Sequence, residues 1–444
     1  YQRRVRAIIL SILMEEVQAE QIIEPETQQI IQDDNSTNQT AEETQPEPVK
    51  EEDKGPKYEG ISSFGSALLE FRTRQLKSSS QNVNSNASLD FMYGGPAKNV
   101  AENFGRLGGA SKLFSMVGED SLGETMRTEL AKAKIDTKFL EVDTKKVATA
   151  TKITVQLTDK QLRSALGTST PEDLDDSQKS PSKEIVQVND DVLQKVAYRY
   201  LYPHLKDVND SRSIFADLMV NENGVKALIQ NFGSKLFLYL GGSQNAAKLA
   251  SIFSSYFGEK KHQDNKDPLY SAIYLSKEEA ATIPRFFCES LKAGYFKQLC
   301  AKKAVLNVSE KFDFEAKKEE VAGAMQQLRQ LVLAENLFVR VKENQVLVAD
   351  RDKVVLVEHN CAGKCVVSEN GADEAFIAGY LKAHEKLEDE RMEYAAFAMI
   401  SALKTELNVN DELSEAMLKR MQQNHFVSIK TLGENKKEDS KEEL

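Results

Sequence analysis

Ser368-Glu369-Asn370-Gly371-Ala372-Asp373-Glu374-Ala375-Phe376-Ile377-Ala378-Gly379-Tyr380-Leu381 is the stretch on which the reading of this chain turns. Phe376, Ile377, Tyr380, Leu381 and His384 recur at helical spacing, so a helix is predicted from near Asp373. A glycine-containing turn opening into a helix presents backbone N–H groups to an anion. The helix dipole adds partial positive charge at the same end. Gly371 suits such a turn because it tolerates unusual dihedrals and close backbone approach. Asp373 works against it. A carboxylate there repels a phosphate by roughly 4 kcal/mol at about 4 Å and an effective dielectric of about 20.

Upstream, strand and helix patterns alternate. Ile61 to Phe71 is an apolar, strand-like run. Gly94-Gly95 then leads into Ala97, Val100, Ala101, Phe104 and Leu107, which share one helical face. Leu113 to Val117 is a short strand, and Val117-Gly118-Glu119-Asp120-Ser121-Leu122-Gly123 turns into another helix. Thr149 to Leu157 alternates like a strand, while Pro171 to Lys183 is polar and reads as a surface insertion. Leu236 to Leu240 is a buried strand ending at Gly241-Gly242, and Ser271 to Leu275 is another, followed by a Glu/Ala-rich helix. Leu337 to Val341 and Gln345 to Ala349 form a predicted hairpin, and Met392 to Leu403 a packed helix. Strands alternating with helices predict a mostly parallel sheet covered on both faces.

Composition narrows the options. Hydrophobic residues make up 41% of the 444 residues, enough for a large core, and the net charge is −11. An acidic chain without a basic stripe argues against a nucleic-acid partner. No apolar run reaches the length, about 18 residues, that a transmembrane helix needs. Four cysteines in a chain this long do not suggest a disulfide framework, so a reducing intracellular compartment, cytoplasmic or mitochondrial, is expected. His359, Cys361 and Cys365 lie close together but match no common zinc spacing, and the two cysteines are read as ordinary thiols.

From Met14 to Lys57 the chain is rich in Glu, Gln, Thr and Pro, and residues 1–57 are expected to form a disordered acidic arm. Arg3, Arg4 and Arg6 before an apolar stretch leave two readings open: a targeting remnant over 1–13, or non-native residues preceding a natural start at Met14. Residues 58–432 form the expected folded domain, and 433–444 a charged tail.

Together these motifs resemble the PfkB (ribokinase-like) sugar and nucleoside kinases. Residues 368–381 follow that family's Asp-Thr-x-Gly-Ala-Gly-Asp-Ala-Phe-x-x-Gly-Phe-Leu signature. Gly94-Gly95 with Asn99 is similar to its sugar-contacting element, and Val117-Gly118-x-Asp120-x-x-Gly123 to its Val-Gly-x-Asp-x-x-Gly turn. Leu162-Arg163-Ser164-Ala165-Leu166 and Ser276 to Thr282 resemble adenosine kinase most. The resemblance implies a three-layer α/β, ribokinase-like fold with a mostly parallel central sheet. It also implies a small β lid from segments near 72–93 and 148–168. Glu374 takes the position of the catalytic base, with Arg163 and the Gly371, Ala372 and Asp373 amides stabilising charge. Glu70, Gly94, Gly95 and Asn99 are the implied substrate residues, Arg340 and Lys342 the nucleotide residues, and Glu279 the magnesium residue. Mg and ATP are the implied cofactors of an active enzyme.

The departures fall on the polar positions. Glu374 replaces Asp, Asp373 replaces Gly, Ser368 replaces Asp and Ser276 replaces Asn. Glu70 stands for the substrate-holding Asp, and Arg340-Val341-Lys342 for a Thr-x-Gly turn. Lengthening the base by a methylene matters, because a misplacement of about 1 Å can cost about 100-fold in rate. The expectation is therefore a catalytically impaired member, structural or regulatory within a larger protein assembly, with or without a nucleoside or sugar ligand. The alternative is an active ATP-dependent adenosine, nucleoside or sugar kinase.

Overall fold

The computed structural model describes residues 58–75, 87–157 except 134 and 146, 183–258, 267–301 except 292 and 293, 313–404 except 315, 362–364, 367, 368 and 370, and 415–434. The predicted arm, most of the tail, Arg163 and Ser368 lie outside these residues.

Fourteen strands are described: β1 Tyr58–Phe64, β2 Leu68–Gln75, β3 Ala87–Gly94, β4 Ser111–Gly118, β5 Leu140–Asp143, β6 Thr151–Leu157, β7 Lys183–Asn189, β8 Ser211–Asp217, β9 Leu236–Tyr239, β10 Tyr270–Ser276, β11 Ala334–Lys342, β12 Gln345–Ala349, β13 Lys353–His359 and β14 Val427–Glu434. The α-helices are α1 Pro96–Arg106, α2 Ser121–Lys132, α3 Tyr198–Leu201, α4 Leu205–Asn209, α5 Glu222–Phe232, α6 Asn245–Gly258, α7 Lys277–Ser290, α8 Gly294–Ala301, α9 Lys318–Leu331, α10 Ala372–Lys382, α11 Glu388–Leu403 and α12 Glu415–Asn424.

The chain divides into two compact units. The larger comprises residues 56–72, 88–153 and 188–444. Its sheet runs β14-β13-β12-β11-β10-β9-β8-β1-β4-β5. From β5 to β11 neighbouring strands are parallel, and β12, β13 and β14 are added antiparallel. Side chains alternate between two apolar clusters, as the period of a strand requires. Ile214, Ala216, Ile273 and Leu275 enter one, and Phe215, Ala272 and Tyr274 the other. Residues of α5, α6, α7 and α9 line the first cluster, and those of α1, α10, α11 and α12 the second. The result is the expected three-layer α/β architecture. Phe376 is fully buried. Truncating such a side chain to Ala costs about 3–5 kcal/mol.

The smaller unit comprises residues 1–55, 73–87 and 154–187, of which only strand ends are described. A four-stranded sheet has the order β3-β2-β6-β7.

Three expectations need correction. The run from Ile61 to Phe71 is two strands, broken at Gly65, whose φ is +148°. Strand β14 runs to Glu434, two residues into the segment assigned to the charged tail. The four cysteines form two disulfides, Cys288–Cys300 and Cys361–Cys365, so the predicted thiols are paired. Among the described residues no helix is long and apolar enough to cross a membrane.

Candidate active site

The carboxyl ends of the parallel strands carry the polar residues. Asp217 ends β8 and is fully buried. Its Oδ2 accepts from the Ser66 N–H at 2.8 Å, the Ser66 hydroxyl at 2.7 Å and the Ala97 N–H at 3.1 Å, while Oδ1 accepts from the Met219 N–H at 3.0 Å. One carboxylate thus fixes the loop after β1 and the first turn of α1. A Cβ at Gly65 would lie 2.4 Å from this carboxylate, which excludes any side chain.

The same logic governs Gly94 at the end of β3, where a Cβ would sit 2.3 Å from Glu70 Oε1. Gly95 caps α1, and the Asn99 N–H donates to its carbonyl at 2.8 Å. The predicted Gly94, Gly95 and Glu70 are therefore brought together, and Asn99 stands in the first turn of α1. Asp120, in the predicted turn after β4, caps α2 by accepting from the Gly123 N–H at 2.8 Å, and it also binds Thr149. That motif is structural here.

Gly371 caps α10 in the left-handed region, φ +72°, where a residue with a Cβ is disfavoured. The Ala372 N–H donates to the Glu369 carbonyl at 3.3 Å. Asp373 Oδ1 accepts from the Tyr274 hydroxyl at 2.9 Å and from Arg340 Nη1 at 3.2 Å. Arg340 Nη2 donates in turn to Glu369 Oε2 at 2.9 Å. Arg340 reaches this turn because β11 pairs with β10 in a register that sets it opposite Ser276. Burial opposes its charge, but Asp373, Tyr274 and Glu369 outweigh burial and hold the guanidinium protonated. Lys342 points elsewhere, its Nζ 5.8 Å from the centre of the Phe314 ring.

Glu374 is 8% exposed, and burial, then Asp373 and Glu70, push its carboxyl up to about 7. Its own amide N–H and Lys152 pull the other way. Glu70, which sits against Gly94, also adds to the field on Glu374. Glu279 is also pushed up to about 7, first by burial. It closes a capping box with Ser276, accepting the Ser276 N–H at 2.7 Å while Ser276 Oγ accepts the Glu279 N–H at 3.2 Å. Its other oxygen accepts the Gly242 N–H. Serine caps a helix as well as asparagine does, so position 276 keeps its local role.

The resemblance implies magnesium at Glu279, each of whose two oxygens accepts one backbone N–H. Among the described residues no group of three His, Cys, Asp or Glu side chains is set to hold a metal. Tyr239, Tyr274 and Asp217 were missed by sequence reasoning. Tyr239 is half-buried and feels Glu374, Asp373 and Glu279 together, and desolvation, then those carboxylates, drive its phenol well up. Both tyrosines read as core residues of apolar strands. Their position, Tyr239 at the end of β9 and Tyr274 two residues before the end of β10, was the available signal.

The fold is ribokinase-like, and the carboxylates gather at the strand ends where such α/β sheets bind ligands. Residues 59–232 match the pfkB family carbohydrate kinase profile. No curated protein sequence matches the chain. Similar solved structures include Arabidopsis thaliana ribokinase complexed with ribose and ATP, at TM-score 0.56 and 11% identity, covering 82% of this chain and 98% of that one. Xylella fastidiosa fructokinase with bound ATP aligns at TM-score 0.55 and 16% identity, over 82% and 98% of the two chains. The Methanocaldococcus jannaschii nucleoside kinase, an archaeal member of the ribokinase family, aligns at TM-score 0.53 and 15% identity, over 83% and 100%. At these identities the likeness concerns the fold.

Proposed function

We propose that this chain is a PfkB-type, adenosine kinase-like protein with impaired phosphoryl transfer, acting as a structural or regulatory subunit of a larger assembly. One observation carries the impairment: Arg340, a cation at the anion turn, is already held by Asp373 and Glu369. A phosphate approaching Gly371 meets a compensated cation flanked by carboxylates, where phosphoryl transfer needs uncompensated donors. The substrate side keeps Gly94, Gly95 and Asn99 in place, which supports retention of a neutral nucleoside or sugar ligand. Docking to protein partners falls to the acidic arm and the charged tail.

A second reading is favoured by Glu374. A buried carboxyl with a pKa of about 7, beside a helix N-terminus and in the base position, suits a general base at neutral pH. On that reading the chain is an ATP-dependent kinase whose rate rises as pH passes 7. Steady-state phosphorylation of adenosine and of ribose decides between the two. Turnover far below the ordinary range of about 1–100 per second supports impairment, and turnover within that range supports the kinase.

A further inference from the structure

The link between β13 and α10 carries a covalent staple. Cys361 lies two residues beyond His359, the end of β13, and is fully buried; its N–H donates to His359 Nδ1 at 3.3 Å. Cys365, half-buried, is bonded to it, with the two Cα atoms 5.2 Å apart. Cys365 and Val366 pack on the apolar cluster that also contains Ala372, Ala375 and Phe376 of α10. Further on, Glu369 is tied twice: its carbonyl accepts the Ala372 N–H, and its carboxylate accepts Arg340. The turn at Gly371 is thus held from two points, the disulfide before it and the Arg340 ion pairs around it.

We propose that the Cys361–Cys365 disulfide is a redox switch of the Gly371 turn. The bonded state holds the turn in its ion-paired arrangement, and reduction by a dithiol releases it. What the released turn binds rests on the reading of that turn as a phosphate site.

The chemistry balances as a thiol–disulfide exchange. Cys361 is fully buried and Cys365 half-buried, so a thiolate of the dithiol attacks the Cys365 sulfur. The Cys361–Cys365 bond breaks, and Cys361 leaves and takes a proton. The second thiol of the dithiol then attacks the mixed disulfide and releases Cys365, which is protonated in turn. The protein gains two electrons and two protons, and the dithiol is oxidised to its disulfide. Removing a cross-link returns conformational freedom to the segment it closed. The other disulfide, Cys288–Cys300, joins the far end of α7 to α8 and serves as a reference.

Amide hydrogen exchange of the full chain, before and after treatment with dithiothreitol, reads the switch. Residues 371–375 are expected to exchange at least ten-fold faster after reduction, with α5 unchanged. Cys361→Ser/Cys365→Ser should exchange fast without reductant, and Cys288→Ser/Cys300→Ser should behave like the unmodified chain. Equal exchange at 371–375 in the oxidised and reduced unmodified chain overturns the proposal, a comparison that stands even where a variant fails to fold. Calorimetry with ADP on the reduced chain separates the two claims. Faster exchange with ADP binding supports both; faster exchange without it keeps the switch and removes the phosphate reading of the turn.

Discussion

Arg340 Nη1 lies 3.2 Å from Asp373 Oδ1, joining the carboxyl end of β11 to the first turn of α10. The two side chains are 11% and 15% exposed, so the pair is largely shielded from water. It changes what an aspartate in this turn means. Alone, Asp373 would only repel a phosphate. Paired, it also withdraws the cation that would have attracted one.

Arg340→Ala should destabilise the fold by about 3 kcal/mol, because removing one partner of a buried pair leaves the other charge uncompensated. Glu369 adds little, since its side chain is 61% exposed. Chemical denaturation of Arg340→Ala, Asp373→Ala and the double variant checks this. A double variant as unstable as the sum of the single ones would show that the two residues do not interact.

Asp373→Gly should leave Arg340 paired only with the exposed Glu369 and raise the affinity for ADP by at least ten-fold, about 1.4 kcal/mol. Adding Glu374→Asp tests the local geometry of the turn. If neither variant binds ADP by equilibrium dialysis, the obstacle lies instead in the Arg340-Val341-Lys342 segment.

Asp217→Ala should cost about 3–5 kcal/mol, leaving the Ser66, Ala97 and Met219 donors without their acceptor in a dry interior. Asp217→Asn should cost less, because one side-chain oxygen remains. Thermal unfolding of both variants measures the order, and equal losses would contradict the account.

Stability should respond to pH through Glu374 and Glu279. Both carboxyls are pushed up to about 7 from a reference of 4.5, so the folded state holds their protons more tightly than the unfolded state. Their contribution is therefore fully present below pH 4.5 and is lost as pH rises toward 7, by roughly 3 kcal/mol each at most. His359 acts with the opposite sign. Burial first, then Arg340 and His425, lower it from 6.5 to about 4, so its contribution is present above pH 6.5 and is lost as pH falls toward 4. The comparison is therefore the difference between the unmodified chain and Glu374→Gln. That difference should change between pH 4.5 and 7, and a flat difference would refute the assignment.

Much of the scaffold was legible because its signals are local. The spacing of Phe376, Ile377, Tyr380 and Leu381 marked α10, and the Glu/Ala-rich run after Leu275 marked α7. The break after Phe64 was hidden, since Leu68, Leu69 and Phe71 continue the apolar run and the bend is fixed by Asp217, far away in sequence. β14 escaped notice because an edge strand carrying Ser428, Lys430 and Thr431 has no apolar run. The site was legible as a list of residues and not as an electrostatic unit. Arg340 meets Asp373 only through the β10–β11 register and the return of the chain to α10, and no spacing rule reports that meeting. The cysteine pairings depend on tertiary placement in the same way.

The central claim is that the anion site is filled from within. Calorimetric titration of the unmodified, oxidised chain with Mg-ATP, alongside a titration with adenosine, tests it most directly. No heat of binding is expected for Mg-ATP up to millimolar concentration. Saturable Mg-ATP binding in the micromolar range, with Asp373 and Arg340 both intact, would contradict it.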